Sequence, residues 1–420
     1  MPFKRFQSLL SVLLFVILNG LLTVVCTLSF SSCTQQSEEG ASKTEKVVIA
    51  AASFSEESLQ EMLITASEGD VITLGEGIFN FSRSLSLDGI DNITLKGAGA
   101  DKTILSFSEQ TDGAEGLKIT ANGFVVEDLG IVDAKGDAIK VQNSEGLIIR
   151  NVRVKWSGGP NPQNGAYGLY PVTCKNVLIE NCEVSDASDA GIYVGQSENI
   201  IVRNNLVHEN VAGIEIENSM YAEVYENTCK NNTGGILVFD LPELPVTNGH
   251  SIQVYNNLIE DNNHPNFAPE GNIVGIVPAG SGVLVMATKN VHIRDNTIKN
   301  HKSFSTAVVS YLINKRPYED ETYNPFCNSI SIHNNIISNE ENAPDMTREL
   351  GQLIYKLFEG NTPQLIIDGI FNPGEETKYC FYENGTIQFA NIDAANNFQS
   401  PSTDASSFDC TIDSPAKVEL

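Results

Sequence analysis

Residues 175–197, KNVLIENCEVSDASDAGIYVGQS, decide the fold, because residues 198–219, ENIIVRNNLVHENVAGIEIENS, repeat their pattern and residues 289–311, KNVHIRDNTIKNHKSFSTAVVSY, repeat it again. Each copy alternates apolar and polar residues over short stretches, separates them with Asn-, Asp- and Gly-rich turns, and lacks a helical period. One apolar column runs Val126, Ile149, Ile179, Val202, Val224, Val254, Ile293 and Ile332, with a base period of about 22 residues lengthened by insertions. Strands this short and this regularly spaced pair with the same strand one turn on, not as hairpins. The expectation is an all-β, right-handed parallel β-helix solenoid of two strands per turn, with rungs stacked at ~4.8 Å and inward residues in columns.

Other columns agree. Asn205, Asn227, Asn257, Asn296 and Asn335 share one turn position, where stacked amides bond from rung to rung, and Cys182 begins that column. Cys229 falls with Val184 and Val207 on the inside, as a core thiol. Cys174 shares a turn column with Ser144, Ser197 and Ser219, and Cys327 with Thr288, which are positions for small residues.

An open solenoid end exposes strand edges and needs a cover. At the front, SFSEESLQEMLITASEGD (53–70) places Ser53 and Glu56 at capping-box spacing and Leu59, Met62, Leu63 and Ala66 on one helical face. At the back, Met346, Leu350, Leu353, Ile354, Leu357 and Phe358 follow a helical period, expected to pack on the last rung. Residues 361–420 read as an irregular tail tied by a Cys380–Cys410 disulfide.

The first residues are a processing segment. Lys4 and Arg5 precede an apolar run from Leu9 to Leu28, then FSSC ends at Cys33, the pattern of a signal peptide with a lipid-attachment cysteine. The expected organisation is a leader at 1–32, a polar tether at 33–52, a β-helix domain at 53–340 and a C-terminal cap and tail at 341–420. The chain would then be a monomer in the bacterial envelope, held to the outer membrane by its lipid alone, on the periplasmic or the outer surface. A formal net charge of −27, more negative once the leader is gone, argues against nucleic acid and repels polyanionic glycans. No cysteine pair has zinc or redox spacing, so no metal or cofactor is expected. Calcium remains an option without a motif.

Chemistry belongs to the second strand of each turn, of the form Gly-Ile-x-Val. With Ile139, Val141, Leu169, Pro171, Ile192, Val194, Ile214 and Ile216 inward, the outward columns read Lys140, Tyr170, Tyr193, Glu215, Leu237, Leu284 and Gln142, Val172, Gly195, Glu217, Phe239, Met286. Insertions at 157–166 and 264–280 enter before this strand, and insertions at 241–250 and 314–326 follow it, so the face should be a loop-flanked groove for an extended polysaccharide. Trp156, the only tryptophan, either stacks on a sugar ring or staples the first loop.

Over roughly residues 53–340 the chain resembles a family of bacterial secreted, pectate-lyase-like parallel β-helix repeat lipoproteins with no settled activity. The carriers are GDVITLGEGIFNF (69–81), NGAYGLYPVTCKNVLIENCEVSDASDAGIYVGQS (164–197) and GSGVLVMATKNVHIRDNTI (280–298). It is more distantly similar to mannuronan epimerases and polysaccharide lyases, whose catalytic strand reads Tyr-Gly-x-Asp-Pro-His. Tyr167, Gly168 and Pro171 are kept, but Tyr170 replaces the aspartate and Val172 the histidine. That mechanism therefore does not carry over.

A rebuilt site would use Lys140 to favour a tyrosinate at Tyr170 or Tyr193 as the catalytic base. Trp156, Tyr167, Asp189, His208, Glu215 and Glu217 would contact substrate, with Asp186 and Glu209 crowding the same turn, although SDASD is also ordinary turn chemistry. Glu215 and Glu217, roughly 6.5–7 Å apart along one strand face, satisfy a glycosidase spacing but lie on one side of the sugar. Two readings remain: a lyase- or epimerase-like enzyme, or a non-catalytic glycan-binding or structural surface protein that has lost its ancestral site.

Overall fold

The structure, a computed structural model, describes residues 47–51 and 54–420. The leader, Cys33, most of the tether and Ser53 lie outside the described residues. Among the described residues the chain winds through three parallel sheets of 12, 11 and 10 strands, here A, C and B, with two α-helices. Each turn therefore has three strands, one more than the alternation suggests. The third comes from three-residue segments such as Glu183–Ser185, Leu206–His208 and Thr228–Lys230, which form sheet B. Segments this short show no measurable alternation, which is why two strands per turn were expected.

The columns are as read. Val126, Ile149, Ile179, Val202, Val224, Val254, Ile293 and Ile332 are successive partners in sheet A. Val184, Val207 and Cys229 are partners in sheet B, and the Cys229 side chain is fully buried. At the A-to-B corner, Asn204, Asn256, Asp295 and Asn334 adopt left-handed backbone, which Asn and Asp tolerate best after glycine. The next residue is the ladder asparagine. Asn205 Nδ2 donates to Asn227 Oδ1 at 2.9 Å, Asn227 to Asn257 at 3.0 Å, Asn257 to Asn296 at 3.0 Å and Asn296 to Asn335 at 3.0 Å. A second ladder, Asn210–Asn232–Asn262, runs along the B-to-C corner and ends at His301, where Asn262 Nδ2 and His301 Nε2 are 3.1 Å apart.

The front cover is α1 (Glu56–Thr65), with Leu59 and Leu63 fully buried. Its capping box is made by Ser55 and Ser58. Glu56 does not cap; its carboxylate accepts from Ser82 N and Arg83 N. At the back, α2 (Glu349–Phe358) does not sit on the last rung. Ile354 is buried in a cluster with Tyr193, Phe239, Met286 and Val274, on the outer flank of sheet C, and Met346 is exposed. The tail closes the end instead, by adding strands Leu365–Ile367, Tyr379–Tyr382 and Phe389–Asn391 to sheets C, A and C. The Cys380–Cys410 disulfide is formed and holds Phe408 against Phe381 and Phe389.

Candidate active site

Sheet C carries the outward columns in the expected register. Lys140 pairs with Tyr170, Tyr193 with Glu215, and Glu215 with Leu237; Gly195 pairs with Glu217 and Glu217 with Phe239. The groove, however, is mostly roofed. Strands Ala190–Gly195, Ala212–Glu217, Gly234–Phe239, Ser281–Met286 and Phe304–Val309 are buried on both faces, whereas Ile139–Gln142 and Tyr167–Val172 keep half-exposed outward residues. The later insertions fold back over the sheet, with Val274, Val277 and Tyr323 buried in the outer cluster beside α2. Apolar outward residues from Leu237 onward demand such a cover.

At the boundary between open and roofed strands, three tyrosines meet. Ring centroids are 4.5 Å apart for Tyr167–Tyr170, 4.5 Å for Tyr167–Tyr193 and 5.0 Å for Tyr170–Tyr193. Tyr193 reaches forward one rung to donate its hydroxyl to Glu217 Oε1 at 2.6 Å. Gly195 makes this possible, because a Cβ there would overlap the Tyr193 ring.

Behind the tyrosines lie Asp189, Glu215 and Glu217, exposed by only 5 %, 1 % and 6 %. Asn272, from the 264–280 insertion, donates to Asp189 Oδ2 at 3.0 Å, while Asp189 Oδ1 and both Glu215 oxygens lack a partner. Burial, then Glu217, pushes Asp189 up to about 8. Burial, then Glu217 and Asp189, holds Glu215 well above the usual carboxylate range. Burial also raises Glu217 to about 7, against the lowering effect of the Tyr193 hydrogen bond. Three neighbouring carboxyls raised above the usual carboxylate range, first by desolvation and for Asp189 and Glu215 also by repulsion, are the arrangement that acid–base sites use.

The tyrosines are shifted the wrong way for a base. Burial and then Asp137 push Tyr170 up to about 12, and burial and then Glu217 hold Tyr193 well above the usual phenol range. Lys140 does lie over the Tyr170 ring, 4.8 Å from its centroid, but its ammonium is also 3.8 Å from Glu115 and 3.9 Å from Asp137. Two acids offset its charge, so the expected stabilisation of a tyrosinate is not seen.

Trp156 is no sugar platform. It is 4 % exposed in the inner core, with Nε1 donating to Ala134 O at 2.7 Å, so it staples its loop. His208 lies away from this face: it borders a polar cleft of about 240 Å³ beside sheet B, with Asp186, Glu209, Glu183 and Arg153. The turn that appeared to gather Asp186, Asp189, His208 and Glu209 therefore splits, sending only Asp189 towards the tyrosines. Asp137, raised to about 6 chiefly by burial, and Asn272 join the site without having been singled out. Asp137 sits in a turn where aspartate is ordinary, and Asn272 arrives from a non-repeating loop. Among the described residues no group of three or more His, Cys, Asp or Glu is placed to hold a metal.

Residues 137–315 match the sequence profile of the family described as "Right handed beta helix region". Among solved structures, an endo-xylogalacturonan hydrolase from Aspergillus tubingensis superposes with a TM-score of 0.54 at 14% identity, covering 88% of this chain and 100% of that one. The A-module of the mannuronan C-5 epimerase AlgE4 of Azotobacter vinelandii gives a TM-score of 0.49 at 16% identity, covering 78% and 89%. No curated protein matches significantly in sequence. At these identities the structural likeness establishes architecture, and with the profile match it identifies the chain as a right-handed parallel β-helix protein.

Proposed function

We infer that this protein binds a polysaccharide across the open strands of sheet C and acts on it by carboxyl acid–base chemistry at Asp189, Glu215 and Glu217. The observation that carries the reading is the convergence of Glu215 and Glu217, two residues apart on one strand, with Asp189 from the turn before the neighbouring strand, all desolvated and held above the usual carboxylate range behind the Tyr167–Tyr170–Tyr193 cluster. Leaving Glu215 unpaired in the interior costs stability, and active sites are where such costs are kept. Asp189 and Glu215 retain protons near neutrality and fit the donor role at a glycosidic oxygen. Glu217, whose ionised form the Tyr193 hydroxyl favours, fits the base that activates water. The half-exposed Tyr167 and Tyr170 rings supply apolar faces for sugar C–H groups. With a formal charge of −27 and only offset cations nearby, the fitting substrate is a neutral glycan. A uronate polymer would be repelled.

A non-catalytic reading is favoured by one observation: Asn272 and its loop cover Asp189. Binding would then use Lys140, Tyr167 and Tyr170 alone. Reducing-end and unsaturated-product assays on a panel of neutral and uronate polysaccharides separate the readings. Hydrolysis of a neutral glycan, abolished in Glu217→Gln while binding persists, is the expected result. Binding without turnover supports the second reading, unsaturated products would replace hydrolysis with elimination, and absence of binding to any glycan overturns both. We also propose lipid attachment at Cys33 and a monomeric, envelope-exposed protein. Palmitate labelling that survives Cys33→Ser would refute the anchor.

A further inference from the structure

The roof over sheet C encloses a second site. A cavity of about 450 Å³ lies between the outer strand face and α2, with Phe239, Leu284, Met286 and Val309 from the sheet and Leu350 and Leu353 from the helix along its walls. Its volume falls in the range of small-molecule pockets and exceeds the voids that protein interiors keep through imperfect packing. The sheet residues are all at most 5 % exposed, so the sheet wall offers apolar side chains alone, while polar groups such as Asn314 and Thr347 come from the roofing segments.

The charged residues bordering it are Lys315, Arg348 and Glu349. Arg348 is incompletely used. One terminal nitrogen, Nη2, donates to Asn266 O at 3.2 Å, while Nε is buried without a partner. The nearby carboxylate of Asp345, which feels the Arg348 charge, is already committed. Its oxygens accept from Ala279 N at 3.0 Å, Thr347 N at 2.9 Å and Thr347 Oγ1 at 2.6 Å. Lys315 and Arg348 thus stand at the border beside Glu349, with Asp345 near Arg348, so the cavity pairs an apolar sheet wall with two cations at its edge.

We propose that this cavity binds an amphipathic monocarboxylate, a medium-chain fatty acid in chemical class, with its carboxylate on Arg348 and Lys315 and its alkyl chain against Phe239, Leu284 and Met286. A guanidinium and an ammonium beside a hydrocarbon wall match a carboxylate on an alkyl chain: charge-assisted hydrogen bonds hold the head group, and chain burial supplies affinity. Glu217 neighbours Phe239 in register, but the assignment stands without any role for the acids.

Calorimetric titration of the protein with octanoate, decanoate and dodecanoate, below their micelle concentrations, tests it. Saturable one-to-one binding should tighten roughly fourfold per methylene until the chain outgrows the cavity. Methyl decanoate should bind at least tenfold more weakly than decanoate, and Arg348→Gln should weaken the acids to the same degree while preserving their chain-length dependence. Leu353→Trp, which fills the cavity, should abolish binding; if its melting curve shows that it does not fold, Ile313→Phe, at another residue of the cavity wall, serves instead. Absence of saturable binding, or binding that survives filling of the cavity, overturns the site. Equal affinity for acid and ester, with no effect of Arg348→Gln, overturns the carboxylate assignment.

Discussion

Tyr193 and Glu217 stand on consecutive rungs of sheet C, and the tyrosine hydroxyl donates to the glutamate Oε1 at 2.6 Å through the space that Gly195 leaves free. This bond favours the ionised glutamate and opposes desolvation. Tyr193→Phe should therefore move the Glu217 titration upward from about 7, by roughly one unit, as expected for loss of one hydrogen bond to a charged group. Carbon-13 NMR of the labelled glutamate carboxyls reads the shift. A titration that stays in place would show that the bond does not set the acidity.

The buried acids also predict an inverted pH dependence of stability. A carboxyl whose folded pKa lies above its unfolded value is ionised first in the unfolded chain, so stability falls as pH rises from the unfolded pKa, about 4.3 for Glu, through the folded one. For Asp189 and Glu217 the windows end near 8 and 7, and Glu215, also raised by burial, acts in the same direction. Buried His301, lowered by burial to about 3, acts oppositely, removing stability as pH falls below its unfolded value. Glu215→Gln isolates the carboxyl effect: relative to the parent, it should raise Tm at pH 8 by about 2 °C or more and leave Tm unchanged near pH 4. Equal shifts at both pH values would refute the assignment.

Asn227 accepts from Asn205 through Oδ1 and donates through Nδ2 to Asn257 Oδ1 and Val202 O. Alanine there removes those bonds and leaves the buried Asn205 backbone N–H, which donates to Asn227 Oδ1, without a partner. The expected loss is about 1–3 kcal/mol, seen as a lower denaturant midpoint, and larger than the loss for alanine at the exposed Asn161. Equal midpoints would mean that the ladder contributes no net stability.

Trp156 reports on the core. Its indole is buried and bonded to Ala134 O, so its fluorescence should be blue-shifted, resist acrylamide, and stay unchanged when a glycan binds at Tyr170. An emission maximum typical of exposed indole would contradict the staple.

Much of this architecture is legible residue by residue. A period of about 22 and two-residue alternation suffice to align Val126 through Ile332, because each strand meets its own repeat and the inside of the coil admits only apolar side chains. The asparagine column follows for the same reason: a left-handed corner and a buried amide recur in each copy from Asn205 to Asn335. The strands of sheet B stayed hidden because three residues are too few to show alternation.

Non-repeating contacts lie beyond any such pattern. Whether Tyr193 and Glu215 line an open groove or lie buried depends on insertions 264–280 and 314–326 and on α2, which fold back onto sheet C through contacts tens of residues distant. Their placement removes water from Asp189, Glu215 and Glu217, and that removal shifts the acids. Alternation and spacing thus establish which residues share a face, since those are local and periodic properties. Solvent access, and with it the chemistry available on that face, came only from tertiary packing, because desolvation depends on everything that surrounds a charge.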